Sequence, residues 1–222
     1  MTDMTLMIAS KNYCLWPLPA WLTMRTAKLD FEEVVIPFFQ PDTTKRMLEW
    51  GPTGRTPVLK HGDRTIWDSL AICEYVNELV PSAQLWPEES EARSVARSVV
   101  AEMHSGGGRT ISYYYDTNIR RRTKRVEPTE DVAKNIDRIM AIWEDCRARF
   151  GSGGPFLFGH FTIADAMHAH LVNRFVTYDV ELPAHGQIYR DVMRSYPPHV
   201  EWIAAAEKED STIERVDNLF TE

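Results

Sequence analysis

Cysteine is scarce in this 222-residue chain. Cys14, Cys73 and Cys146 are all it has, and no two stand at the spacing of a paired redox or metal-binding motif. A disulfide framework is excluded, and a reducing cytoplasm is the expected location. Long apolar runs are missing as well. None approaches the roughly 20 residues of a membrane span, and residues 4–9 are too short, and lack a basic flank, for a secretory signal core. Positive charge is in deficit: 25 Lys and Arg face 32 Asp and Glu, a net −7, which argues against a general nucleic-acid or anionic-membrane surface. The chain carries no phosphate loop, no nucleophile–base–acid triad and no internal repeat. At 222 residues it is long enough for one large or two small domains, each with a core of its own.

What is present centres on residues 51–80, GPTGRTPVLKHGDRTIWDSLAICEYVNELV. Val58-Leu59-Lys60 and Thr65-Ile66-Trp67 are β-prone, and His61-Gly62-Asp63 between them holds the glycine of a tight hairpin. From Ser69 the period changes: Leu70, Cys73, Val76 and Leu79-Val80 form one stripe of a helix that ends before Pro81. Asp68-Ser69 stand at its start. Small polar side chains there cap free N–H groups, and the helix dipole favours an anion, so the pair is either an N-cap or a grip on a small zwitterion. In the second case the Ser69 hydroxyl and backbone N–H take a carboxylate and Asp68 takes an ammonium. Thr56-Pro57 ahead of the first strand is a candidate cis bond that would offer an unpaired backbone edge to an extended peptide.

Together Gly54-Arg55-Thr56-Pro57-Val58-Leu59 and Asp68-Ser69-Leu70-Ala71-Ile72 resemble the cytosolic glutathione transferase superfamily. There a cis-proline, two strands and an acidic-Ser pair at the start of the third helix form the glutathione site. Residues 10–19, SKNYCLWPLP, look most like a bacterial branch written roughly Ser-Lys-Asn-Tyr-Ser-Ser-Trp-Ser-Leu-Arg. This junction carries the residue that meets the glutathione sulfur, a tyrosine, serine or cysteine according to class. Cys14 stands where the branch has its first serine; Leu15, Pro17 and Pro19 are departures from it. The resemblance therefore implies Cys14, or Tyr13 beside it, as the catalytic position, and Thr56, Pro57, Val58, Asp68 and Ser69 as glutathione-binding residues.

A thiol near a helix N-terminus can fall from a pKa of about 8.5 into the range 3.5–7.5 and become a nucleophilic thiolate, able to form a mixed disulfide with glutathione. Pro17 and Pro19 work against this, because residues before proline avoid the α conformation; the helix is expected to start late and leave Cys14 away from its dipole. Cys73, on the apolar stripe, and Cys146, flanked by Ile142 and Phe150 at helical spacing, read as packing residues.

Elsewhere, residues 5–9 read as a buried strand, 18–29 as a helix and 31–37 as a second strand. Strand, helix, strand, hairpin, helix is the order of a thioredoxin-like domain. Residues 81–89, PSAQLWPEE, form a proline-bounded linker, and the remainder is helical. A helix over 91–104 breaks at Gly106-Gly107-Gly108, which either makes room for a second substrate or joins two helices. Of Tyr113-Tyr114-Tyr115 at most two face a pocket. The run Arg120-Arg121-Arg122 with Lys124 and Arg125 reads as a solvated surface segment, with attraction of an anionic co-substrate as the alternative. Residues 130–150 form a long amphipathic helix. Thr162 and Asp165 have capping-box spacing, with Phe161 as an apolar staple. His168 and His170, two apart on a helix, project about 200° from each other and do not share a metal. Arg174, Phe175 and Tyr178 could reach the domain interface, but a packed aromatic and an exposed arginine are the safer assignment.

The fold class is thus α/β plus all-α: a thioredoxin-like unit (βαβ-ββα) over 1–80, a linker over 81–88 and an all-helical unit over 89–222 that contributes the co-substrate pocket. The resemblance implies glutathione as co-substrate, a hydrophobic electrophile as acceptor and a homodimer. Two other functions stand beside the transferase: a Cys14-dependent thiol transferase or deglutathionylase acting on mixed disulfides, and a non-catalytic binding protein on the same scaffold.

Overall fold

The alternating and turn-bounded stretches of the first 80 residues assemble into one mixed sheet. The structure is a computed structural model and describes residues 3–221. β1 (Met4–Ile8) pairs in parallel with β2 (Glu32–Val35) and antiparallel with β3 (Val58–His61), which pairs antiparallel with β4 (Arg64–Trp67). The order is β2-β1-β3-β4. A parallel neighbour needs a crossover, and α1 (Pro17–Thr26) supplies it. The β3–β4 hairpin turns at Gly62, whose φ of +54° suits a residue without Cβ. α3 (Ser69–Leu79) then packs back onto α1.

The expected βαβ-ββα frame is present with one helix more. α2 (Thr43–Trp50) buries only Met47, too sparse an apolar pattern to read from periodicity. β2 is shorter than residues 31–37: Phe31 and Ile36 are buried at its ends, but only four residues keep ladder pairing. α1 also begins earlier than expected. Pro17 occupies its first position, where a missing N–H costs nothing.

From residue 90 the chain is helical, through α4 (Ser90–Glu102), a wide π-type turn (Met103–Gly107), α5 (Arg109–Tyr114), α6 (Glu130–Phe150), α7 (Ile163–Thr177), α8 (Ala184–Ser195), α9 (Pro197–Glu207) and the short α10 (Glu214–Asp217). The glycine run is the break between α4 and α5, with Gly106 at φ +122°. α6 spans the expected residues and buries Ile136, Ile139, Met140, Trp143 and Cys146.

α7 is buried on nearly every side, so its polar residues must find partners inside the fold. Asp165 does so at the helix start: its carboxylate accepts the Thr162 N–H at 2.9 Å and hydroxyl at 3.0 Å, the Leu157 N–H at 3.0 Å and the Tyr189 hydroxyl at 2.9 Å. The capping box is formed. Phe161, expected as its staple, stacks on Tyr196 with ring centroids 4.4 Å apart.

One core joins the two halves. α1 packs against α3 on one side and α7 and α9 on the other, with Trp21 meeting Trp202 edge-on at 5.4 Å. Among the described residues no helix is long and apolar enough to cross a membrane.

Candidate active site between the sheet and the helical half

Two cavities lie side by side where the sheet meets the helical half. The first, of about 510 Å³, is lined by Arg55, Thr56, Pro57, Trp67, Asp68 and Ser69. The second, of about 540 Å³, is lined by Tyr13 and Cys14 from the β1–α1 junction, by Met103 to Gly106 from the wide turn, and by Arg109, Asp116, His170, Arg174 and Arg215. Trp16 and His104 line both. Each volume falls within the roughly 300–1,000 Å³ of small-molecule sites.

The first cavity gathers most of the peptide-binding residues singled out from the sequence. The Thr56–Pro57 bond is cis, and the Thr56 hydroxyl reaches the Met7 carbonyl at 3.4 Å. Val58 follows, fully buried, so only its backbone can serve a ligand. β3 is an interior strand with β1 and β4 on either side, so the open edge expected along it is confined to the turn ahead of it. Asp68 is the N-cap of α3: its Oδ1 accepts the N–H groups of Leu70 at 2.9 Å and Ala71 at 3.3 Å. That leaves the N–H and hydroxyl of buried Ser69 as the helix-start donors for a carboxylate. Asp68 Oδ2 lies 3.1 Å from His104 Nε2, which ties the wide turn to the sheet half.

The second cavity holds the sulfur. Cys14 is buried, and that desolvation pushes its thiol up to about 12, outweighing a hydrogen bond with the Trp16 backbone and the Arg174 charge, both of which favour the thiolate. The group is a neutral thiol at neutral pH. Tyr13 has its hydroxyl committed elsewhere: it donates to Asp217 Oδ1 at 2.7 Å, with Oδ2 at 2.8 Å, and accepts from Arg120 Nη2 at 2.8 Å. Burial and the Asp217 bond raise its pKa.

The loop that carries both residues is clamped by the C-terminal segment. Glu209 accepts the N–H of Lys11 at 2.6 Å and of Asn12 at 3.1 Å and the Ser10 hydroxyl.

Two expectations are corrected here, those for the basic run and for Arg174. The basic run is solvated only in its second part: Arg122, Lys124 and Arg125 are exposed, with Arg125 pairing Glu181 at 2.6 Å, whereas Arg120 donates to the carbonyls of Glu209 and Ser211 and Arg121 to that of Val216. Arg174 is not exposed but 92% buried, because α7 is central. The glycine run does not choose between its two readings: it breaks the helix, and Gly106 and Gly108 line the cavity. His168 and His170 part company as their spacing requires, His168 Nδ1 meeting the Ala164 carbonyl and His170 Nδ1 meeting Arg174 Nη1.

Trp16, His104, Asp116, Arg174 and Arg215 were not singled out as site residues. Trp16 lies two residues from Cys14 within the 10–19 motif and His104 two residues before the triple glycine, so both carried a local signal; Asp116, Arg174 and Arg215 meet the site only through the tertiary fold.

The comparisons with known proteins fall on this frame. Residues 13–79 match the Glutathione S-transferase, N-terminal domain, and residues 117–205 the Glutathione S-transferase, C-terminal domain. This chain belongs to the glutathione S-transferase superfamily. Glutathione S-transferase 1 of Dianthus caryophyllus is 36% identical over 87 residues, 39% of this chain and 38% of that protein. Glutathione S-transferase L1 of Arabidopsis thaliana is 20% identical over 166 residues, 74% of this chain and 64% of that protein. A glutathione transferase homolog from Burkholderia, solved with bound glutathione, superposes with a TM-score of 0.67 at 20% identity, covering 94% of this chain and 100% of that one. In superfamily terms the first cavity belongs to the sheet half and the second to its junction with the helical half. Trp16 and His104 form the partition.

Proposed function

We propose that this chain is a glutathione transferase, which holds glutathione in the cavity at the cis-proline turn and passes its thiol to an electrophile in the neighbouring cavity. The supporting observation is the convergence of Thr56, Pro57, Asp68 and Ser69 on one cavity that meets the cavity of Cys14 across Trp16 and His104. Glutathione supplies the nucleophilic sulfur. Ser69 offers an N–H and hydroxyl to the γ-glutamyl carboxylate, Asp68 Oδ2 its charge to the ammonium, and the turn at residues 56–58 its backbone to the peptide. Cys14 stays protonated and donates its S–H to the glutathione thiolate, as a preorganised donor lowers the cost of charge on a neighbouring atom. The sulfur–carbon bond then forms as the leaving group, or a conjugated carbonyl, takes the electron pair, and the thiol proton passes to solvent. Holding both reactants side by side supplies the effective concentration.

A thiol held near 12 is a poor nucleophile, which puts conjugation ahead of the disulfide exchange that a Cys14 thiolate would carry out. In the same proposal residues 1–80 form the glutathione-binding unit and 89–222 the unit that completes the electrophile pocket, with two copies pairing as the resemblance implies. Turnover of an activated aryl halide with glutathione, followed by release of halide, tests the reading. No turnover with aryl halides or conjugated carbonyls, together with intact glutathione binding, would move the chain to the non-catalytic scaffold.

A further inference from the structure

The second cavity is charged in a way that its apolar lining does not call for. Arg109, Arg174 and Arg215 line it, against the one carboxylate of Asp116. Asp116 Oδ2 pairs with Arg215 Nη1 at 2.8 Å, and its charge reaches Arg174 only from a distance, with no direct ion pair between them.

Arg174 is the unusual member. Its Nε donates to the Tyr115 carbonyl at 2.9 Å and its Nη1 to His170 Nδ1 at 2.9 Å and the His170 carbonyl at 3.1 Å. All of these acceptors are neutral: His170 lies well below its usual range because it is buried and beside a guanidinium. Among the described residues no carboxylate forms an ion pair with Arg174, and its Nη2 makes no hydrogen bond. A buried charge is ordinarily paired, because a lone one forfeits its hydration without return.

His170 adds a second unfilled donor. Arginine has no lone pair to give, so His170 Nδ1 is the acceptor in their bond and the proton of the neutral ring sits on Nε2. That atom is buried and without a partner. Arg174 Nη2 and His170 Nε2 are therefore donors without an acceptor on two residues that line one cavity, next to the sulfur of Cys14, with Nε2 itself buried.

We propose that the electrophile this enzyme accepts carries a carboxylate, held by the free edge of Arg174 and by His170 Nε2–H, with its apolar body against Leu15, Trp16, Met103 and Tyr113. A planar guanidinium recognises a planar carboxylate with two parallel bonds, which also orients the acceptor. Arg109 and Arg215, exposed at the rim, add attraction over the distance at which screening is incomplete. The inference rests on the transferase reading for the word electrophile, but the anion site stands on these residues alone.

Calorimetric titration with S-(4-carboxybenzyl)glutathione and with its carboxamide, which has the same shape and no charge, reads the preference. The carboxylate is expected to bind at least tenfold tighter, and Arg174→Met to reduce that ratio below twofold while the affinity for glutathione stays within twofold. Arg174→Met removes a buried side chain, so its melt is recorded first. If it does not fold, the comparison in the parent protein decides without it. A parallel titration with 4-methylbenzoate against 4-methylbenzamide separates the two levels of the proposal. Preference for the benzoate with no binding of glutathione refutes the transferase and keeps the anion site. Binding of glutathione with equal affinity for carboxylate and carboxamide refutes the anion site and keeps the transferase. No preference for either carboxylate over its amide overturns the inference.

Discussion

The Tyr13 hydroxyl lies 2.7 Å and 2.8 Å from the two carboxylate oxygens of Asp217, 204 residues further along the chain. Its single proton is spent on that carboxylate, and Asn118 Nδ2 and the Ile213 N–H converge on the same group. Tyr13 therefore anchors α10 over the β1–α1 loop. Tyr13→Phe should leave kcat/KM within about threefold, less than ~0.7 kcal/mol of transition-state binding, and lower stability by about 1–2 kcal/mol through the one hydrogen bond lost at Asp217. Steady-state kinetics and a denaturant titration on one preparation check both halves. A 100-fold loss of turnover would place the tyrosine at the sulfur instead.

Cys14 should act through its proton and not through its electrons. Cys14→Ser keeps a donor of similar size and should conjugate glutathione at least as fast as the parent. Cys14→Ala, with no donor, should lose about tenfold or more, toward the low end for a removed oxyanion-type donor because S–H is a weak one. Burial has already pushed the thiol up to about 12, so alkylation of Cys14 at pH 7.5 should be slow. Rapid modification by iodoacetamide there would contradict a protonated, buried thiol.

Stability should fall steeply on acidification. Desolvation lowers His168 and His199 to about 4 from an ordinary 6.5. A histidine with a depressed folded-state pKa binds its proton more readily when unfolded, so stability is complete above about pH 6.5 and is lost as the pH falls toward 4. Between pH 7 and pH 5 each of the two should cost about 2 kcal/mol. Urea midpoints at the two pH values measure the sum; a flat profile would mean that the rings open to solvent.

Asp165 serves four donors from inside the helical half. Asp165→Ala strands the Leu157 and Thr162 N–H groups and the Tyr189 hydroxyl, and is expected to destabilise by about 3–5 kcal/mol. Burial raises the Asp165 pKa despite these bonds, so its charged form lowers stability as the pH rises from the unfolded value through the folded one. This trend is opposite in sign to that of the histidines. Asp165→Ala should melt lower than the parent, by a margin that narrows as the pH rises through that range. A variant as stable as the parent would remove the capping box from the list of folding determinants.

Local pattern carried much of this fold into view. The hairpin at Gly62, the cap at Asp68, the 21-residue α6 and the Thr162–Asp165 box each depend on neighbours within one or two turns, and each was legible. The first cavity was legible for the same reason, since Thr56, Pro57, Asp68 and Ser69 lie within one supersecondary unit. The second cavity was not. Arg174 reads as a surface residue from its type, and only the placement of α7 at the centre of the helical half buries it. The Arg120 run reads as solvated until the C-terminal segment returns, some 90 residues later, with the carbonyls that it binds. α2 escaped because eight residues that bury a single methionine offer too few apolar positions to mark a stripe.

The most direct test is a calorimetric titration of the reduced protein with glutathione, set beside Ser69→Ala. Ser69 is chosen because Asp68 also caps α3, so its loss would mix binding with folding. Saturable binding by the parent, weakened about tenfold or more in Ser69→Ala as expected for a lost hydrogen bond to a charged group, is the result that the site geometry predicts. No heat in the parent at millimolar glutathione, with a normal cooperative melt, would contradict it.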